Sequence, residues 1–373
     1  MKDPRRLGHN QRHELSDILA VSILATICGA DNWVEMEEFA HGQREWLESF
    51  LSFPNGIPSH DTFSRVFMQL DSAVFEECFV KWVKTLRLPD PSTRRDVIAI
   101  DGKTSRASHN KHKNINPLHM VSAWSVENKL CLGQVRTAEK SNEIEAIPRL
   151  LEMLDVKGSI VTLDAMGCQK EIAATIRDKG ADYVLALKDN HPKLSQSVKT
   201  AFELGDLTTY TGMHYLKRTE KIRGFKNRGE HGRVETRKYT LITVKDKLVF
   251  GSEWPGLVSF GRLEVTRTVR SKEVERSTRY FLTSLDYQQM EEFMHAARRH
   301  WEVEINLHWS LDVSFADDLN RTRTGNGAEN ISILKRIALN ALKRDNTRKI
   351  GITAKRKKAA WDNKFLTNII NNL

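Results

Sequence analysis

Four cysteines, Cys28, Cys78, Cys131 and Cys168, are scattered through 373 residues with no paired spacing. That scarcity argues against zinc knuckles and against a disulfide framework. Long apolar runs are missing too. The longest, ILAVSILATICGA from Ile18 to Ala30, falls short of the roughly 20 residues that span a bilayer. It follows the basic segment Met1–Arg12 as a secretory signal would, but the polar QRHELSD intervenes and another helical pattern follows at once. The expectation is a cytoplasmic protein without a membrane segment. Internal repeats and low-complexity tracts are likewise absent, which excludes solenoids and disordered repeats.

What is present is a 40% hydrophobic composition over a length that suits two or three domains. Lys and Arg outnumber Asp and Glu 58 to 48, a net charge of +10, and the excess is unevenly placed. From Lys343 to Lys364 nine basic residues face two acids, a local charge of +7. A basic tail suits a polyanion, because each neutralised phosphate releases counterions, and it equally suits a solvated terminus.

Periodicity divides the chain. Through about residue 92 it predicts helices: LSDILAVSILATICGA is apolar nearly all round, and SHDTFSRVFMQL and AVFEECFVKWVKTL are amphipathic. DVIAIDG then opens a strand-rich region. LHMVSAWSVE and LCLGQVRTAE pair across a turn at Glu127–Lys129, a helix follows from Asn142 to Leu154, and GSIVTLDAMG is a buried strand. A helix over Lys170–Lys179 and a strand in ADYVLALKDN complete a mixed α/β sheet. After Asn190 the periodicity loosens into RKYTLITVKD, GRLEVTRTVR and TRYFLTSL, a β-rich insertion spanning about residues 195–285. The expected division is a helical region 1–92, an α/β region 93–345 and a basic tail 346–373.

Asp101 and Asp164 each end an apolar strand pattern, where open α/β folds carry their chemistry. Hard oxygen ligands with open positions suit Mg²⁺, and two such ions serve phosphoryl transfer. Capping the next turn is the competing role for either residue alone. The stretch HWEVEINLHWSLDVSF, His300 to Phe315, alternates apolar and polar residues as a half-buried strand does, yet it follows the helical YQQMEEFMHAARR without a break.

Together VIAIDGKTSR, TLDAMGCQK, YVLALKDNH and HWEVEINLHWSLDVSF resemble the H-repeat-associated insertion-sequence transposases, members of the DDE group with a ribonuclease H-like core. RHELSDILAVSILATICGADNW, NGIPSHDTFSRVF, HGRVETR and RTRTGNGAENISILKRIALN extend the resemblance over nearly the whole chain. It implies a metal-dependent enzyme that cuts DNA at the ends of an insertion sequence and joins them to target DNA. Asp101, Asp164 and Glu304 would be its catalytic, metal-binding acids, holding two Mg²⁺ or Mn²⁺ ions. Double-stranded DNA would be its partner, and a homodimer its working form. The alternatives are a catalytically inactive DNA-binding remnant or repressor, and a metal-dependent nuclease without strand transfer.

Two neighbours of Glu304 depart from the family pattern: Ile305 stands where Asn is usual, and Asp317-Asp318 replaces Glu-Asp. The wider group has Arg four residues before the Glu and Lys seven after, where this chain has His300 and Leu311. A helix turning about 100° per residue would align Glu304 with His308 and Asp312, the accessory candidates, and turn Glu302 away. It would also spread the apolar residues around its circumference, as for a helix packed on several sides. Candidate DNA contacts are Lys103, Arg106, Lys188, Arg233, Arg298, Arg299, Arg321, Arg323, Lys355, Arg356, Lys357 and Lys358.

Overall fold

The computed structural model describes residues 1–5, 11–87, 94–109, 116–137, 142–208, 214–223, 233–243, 254–269 and 272–373. His231 and Gly232 of HGRVETR and the Pro-rich LPDPST lie outside them. Helices α1 (Leu15–Cys28), α2 (Trp33–Gly42), α3 (Arg44–Leu47), α4 (His60–Gln69) and α5 (Ser72–Leu86) come first. Strands β1 (Val97–Ser105), β2 (Leu118–Ser125) and β3 (Leu130–Thr137) precede α6 (Glu143–Met153), β4 (Ile160–Leu163), α7 (Lys170–Asp178) and β5 (Asp182–Leu187). Then come α8 (Pro192–Thr208), β6 (Tyr215–Arg223), β7 (Arg233–Thr243), β8 (Ser259–Val269), β9 (Lys272–Thr283) and α9 (Met290–Arg299). A π-helical segment (Val303–His308) leads into α10 (Trp309–Phe315), followed by α11 (Gly327–Arg344), α12 (Ile352–Trp361) and α13 (Asn363–Asn371). The mixed α/β class with a helical start is the one expected.

The chain forms two compact units, one of Met1–Ser92, Gly102–Ala146 and Glu302–Leu373, the other of Thr93–Asp101 and Ile147–Trp301. In the first, α11 is buried nearly all round and packs against α1, α4, α5 and β3. Its polar residues answer specific backbone groups. The Asn340 amide pairs with Cys131, accepting from its N–H at 2.8 Å and donating to its carbonyl at 2.9 Å. Glu76 of α5 accepts the Gln134 N–H at 2.8 Å. Both thus satisfy backbone of β3 that would otherwise be buried unpaired.

Residues 346–373, expected as a basic tail, instead fold as α12 and α13, and two of their cations are structural. Buried Arg356 donates to the carbonyls of Thr26 (2.9 Å) and Ala30 (3.3 Å) at the end of α1, to Ser314, and to Asp31 (2.9 Å). Buried Lys355 donates to the Leu342 carbonyl at 2.9 Å, near the end of α11, and pairs with Asp345 at 3.0 Å. Helix C-termini carry unsatisfied carbonyls and partial negative charge, which is where cations stabilise most. A run of basic residues hid this role from charge counting.

In the second unit residues 97–101 of β1 run parallel to β4, and β4 parallel to β5. β9 adds antiparallel to β5, and β8, β7 and β6 follow as an antiparallel meander. The parallel strands are mostly apolar and buried, as strands covered on both faces are. Gly261 of β8 lets Phe293 of α9 approach: a Cβ there would sit 2.3 Å from the ring. β6 and α8 were not evident in the loosened periodicity.

Burial pushes the Glu76 carboxyl up to about 7, against the pull of its Gln134 and Arg336 neighbours. Its folded value lies above its unfolded one, so the folded state holds the proton more tightly between about pH 4.5 and 7, and stability falls as pH rises through that window. Urea unfolding at pH 5 and pH 8 should show the unmutated protein losing about 3 kcal/mol more than Glu76→Gln over the same interval.

Candidate active site

Register brings Asp101 and Asp164 side by side. β1 pairs with β4 so that Ile100 stands opposite Leu163, and the next residue on each strand is an Asp. Adjacent strands lie about 4.8 Å apart, so two half-buried carboxyls rise from neighbouring backbones at one level. The chain geometry differs between them. Asp164 follows the last residue of β4, whereas β1 continues past Asp101 to Ser105 instead of ending there.

Asp164 also performs the capping role that competed with the functional one. Its Oδ1 accepts the N–H groups of Met166 (3.0 Å) and Gly167 (3.2 Å). These bonds fix the side chain through one oxygen, so the cap and a ligand role are compatible. Two residues not singled out from the sequence brace that loop. The Asn190 side chain donates to the Ala165 carbonyl at 2.6 Å, and His191 Nε2 donates to the Cys168 carbonyl at 2.6 Å. Their signal was the DNH ending of YVLALKDNH, a polar cluster directly after a buried strand.

His300 occupies the place of the wider group's Arg. Burial drives its imidazole down to about 4, with Asp164 pulling the other way and Arg279 reinforcing the fall, and Nδ1 bonds Thr162 Oγ1 at 3.0 Å. A neutral ring cannot replace a guanidinium at a phosphate. Of the neighbouring cations, exposed Arg298 pairs with Glu220 at 2.8 Å, and Arg299 is half-buried. Lys188 is exposed just beyond β5, and Arg233 lies 3.8 Å from Glu235.

In the other unit the stretch from Glu302 to Phe315 is helical, as its continuity with the preceding helix suggested and its alternation did not. Its first turns are π-helical: the Trp309 N–H reaches back five residues to the Glu304 carbonyl. π turns are rare and recur at functional sites. The extra residue per turn breaks the expected stripe, leaving Glu304 exposed, His308 buried and Asp312 half-buried. Glu302 is half-buried and its charge acts on the Lys343 ammonium. Nor is the helix packed on every side, since Ile305, Trp309 and Val313 are 61%, 58% and 54% exposed. Burial lowers His308 to about 3, helped by Arg336 and Lys103, so it is neutral at physiological pH.

Lys103 has a definite task. Its buried ammonium lies 2.6 Å from Asp312, 3.4 Å from Asp318 and 3.5 Å from Asp317. Asp317 also meets Lys335 at 3.2 Å and the Ser105 hydroxyl at 2.7 Å. Burial opposes the charge on Lys103, but the three carboxylates outweigh it and raise its pKa. Burial likewise opposes the Asp317 charge, and Lys335 and Lys103 hold its carboxyl well below the usual range. As placed, Lys103 and Asp312 answer each other rather than a phosphate or a metal. Arg106 is exposed 3.5 Å from Asp318, and Arg321 is exposed, while Arg323 donates to the Ala107 carbonyl at 2.9 Å. Lys357 is exposed and Lys358 pairs with Asp362 at 2.7 Å.

Among the described residues no group of three or more His, Cys, Asp or Glu side chains is gathered as a metal cage. The Asp101–Asp164 pair nonetheless fits Mg²⁺, which takes one or two carboxylates, keeps several waters and completes its shell with substrate phosphates. No single helix among the described residues is long and apolar enough to cross a membrane.

Replacing Lys103 by Met would remove the 2.6 Å ion partner of Asp312 and leave Asp318 to Arg106 and Asp317 to Lys335 and Ser105, and should lower unfolding stability by about 3 kcal/mol in urea titration. Asn190→Ala should cost about 1 kcal/mol by the same measure, through the freed Ala165 carbonyl.

Two family descriptions match this chain: "DDE_Tnp_1-associated" over residues 1–83 and "Transposase DDE domain" over residues 92–341. "Putative transposase YncI" of Escherichia coli O157:H7 is 42% identical over 365 residues, covering 96% of this chain and 90% of that protein. "H repeat-associated putative transposase YhhI" of Escherichia coli K12 is 41% identical over 362 residues, covering 96% and 92%. A shorter relative, "Inactive transposase YbfQ" of the same strain, is 46% identical over 57 residues, 15% of this chain and 68% of its own length. A ribonuclease H-like α/β core preceded by its associated helical region, and relatives of this name at this identity over nearly the full length, make the chain a member of the DDE transposase family, alongside the H-repeat-associated proteins.

Proposed function

We propose that this protein is an active DNA transposase that cuts the ends of an insertion sequence and transfers them to target DNA. The observation that carries this reading is the pairing of β1 with β4, which sets Asp101 and Asp164 at one level on neighbouring strands. Asp101 and Asp164 would hold divalent metal, Mg²⁺ or Mn²⁺, with Glu304 as the third acid. When bound, the metal pair supplies a low-pKa water and neutralises the leaving oxygen of the phosphodiester. The protein's own part is positional. Loop N–H groups hold the Asp164 carboxyl by one oxygen, Asn190 and His191 hold the loop, Glu304 is exposed, and Lys103 occupies Asp312. Water attack at the element's end would free a 3′-hydroxyl, which then attacks target DNA in line, with no covalent protein intermediate. Two ends must be held together, so a homodimer acting on double-stranded DNA in the bacterial cytoplasm fits the task.

Labelled duplex carrying the terminal repeat, incubated with Mg²⁺, should be nicked at the repeat and then joined to target DNA. Asp101→Ala and Asp164→Ala should each lower cleavage at least a thousandfold, the scale of losing a principal electrostatic contributor, while still binding the duplex. Binding without cleavage by the unmutated protein would indicate a remnant or repressor, and cleavage without joined products a nuclease.

A further inference from the structure

The insertion strands β6 to β9 divide their charges between two faces. Paired residues share a face, so the register places Lys217, Thr219, Lys221, Lys238, Arg276 and Thr278 together, and all six are exposed. Three acids of these strands, Glu220, Glu235 and Glu275, fall on the opposite face. There they are held by Arg298 at 2.8 Å, Arg237 at 2.6 Å and Arg267 at 2.5 Å. That opposite face also carries α9, whose Phe293 packs on Tyr239 and Phe281.

The open face has acids at only two of its described positions. Glu264 meets Arg262 at 3.4 Å, and Glu273, beyond the irregularity at Arg267/Thr268, meets Arg276 at 3.4 Å. Near the core end α8 closes this face, with Phe202 under Arg262 and beside Tyr280. Farther out its described side chains are mostly polar or charged, and Lys217, Thr219, Lys221, Lys238, Arg276 and Thr278 are exposed. Lys217 and Lys221 stand four residues apart, about 13 Å, with Lys238 one strand over, opposite Thr219 between them.

We infer that this lysine- and threonine-bearing face is a binding surface for the phosphate backbone of duplex DNA. The inference rests on the reading that DNA is the substrate and assigns one part of its positioning to a named sheet face. Ammonium and hydroxyl groups donate to phosphate oxygens without reading bases. Moving the acids to the other face removes the repulsion that an evenly mixed surface would set against a polyanion. A protein partner would need an apolar centre, which this surface lacks.

The test is duplex binding by the full chain in EDTA, where no cutting occurs, followed by fluorescence anisotropy from 50 to 300 mM KCl. Each phosphate contact contributes about 0.9 to the slope of log K against log salt. Lys221→Ala with Lys238→Ala should reduce the slope by about 1.8. Arg218→Ala, removing one exposed charge from the opposite face, should leave it unchanged. Unaltered circular dichroism and Tm would confirm that the exposed substitutions leave the fold intact. Binding with an unchanged slope in the double variant would overturn the face assignment alone. No duplex binding by the unmutated protein would overturn it together with the reading beneath it. Loss of self-association in the double variant, with the slope intact, would overturn it in favour of an interface between copies.

Discussion

The parallel pairing of β1 with β4 is the constraint on which the rest depends. A strand register is discrete: slipping one strand by one residue would turn its carboxyl to the other face of the sheet. Burial of Val97, Ile98, Ile160 and Val161 therefore fixes more than a core. It fixes which backbone positions stand level, and the residue after Ile100 and after Leu163 is in each case an aspartate. The chemistry proposed for this protein begins from a packing decision.

Elsewhere in the chain, charge is used structurally where composition suggested ligand binding. Lys103 answers three carboxylates, Lys355 and Arg356 bind helix-end carbonyls, and Glu235 is wrapped by arginines. Burying charge is costly unless each group finds partners, and here each does. A net charge of +10 consequently overstates the charge available to a polyanion. Of the candidate DNA contacts, Arg106, Lys188, Arg298, Arg321 and Lys357 stay exposed, as do several cations of the insertion strands.

Much of this was legible in the sequence. The helical start, the β2–β3 hairpin, the buried strands and both aspartates followed from periodicity, because those elements are either one-sided or apolar throughout. Three features were not. HWEVEINLHWSLDVSF alternates like a strand because a π-helical turn and an exposed row at Ile305, Trp309 and Val313 disturb the helical period. α12 was hidden by its basic run, whose buried members Lys355 and Arg356 are held by distant carbonyls and carboxylates that no local pattern shows. The DNH cluster after β5 marked Asn190 and His191, but their bracing partners lie more than twenty positions away, which the cluster alone does not name.

The central claim, that level carboxyls on β1 and β4 form a hard-cation site, is tested most directly by a crystal structure of the full chain with Mn²⁺, using anomalous diffraction. The account predicts a peak about 2.1 Å from carboxylate oxygens of both Asp101 and Asp164, lost in Asp164→Ala. Mn²⁺ bound elsewhere at saturating concentration, with no anomalous density between these two residues, would contradict it.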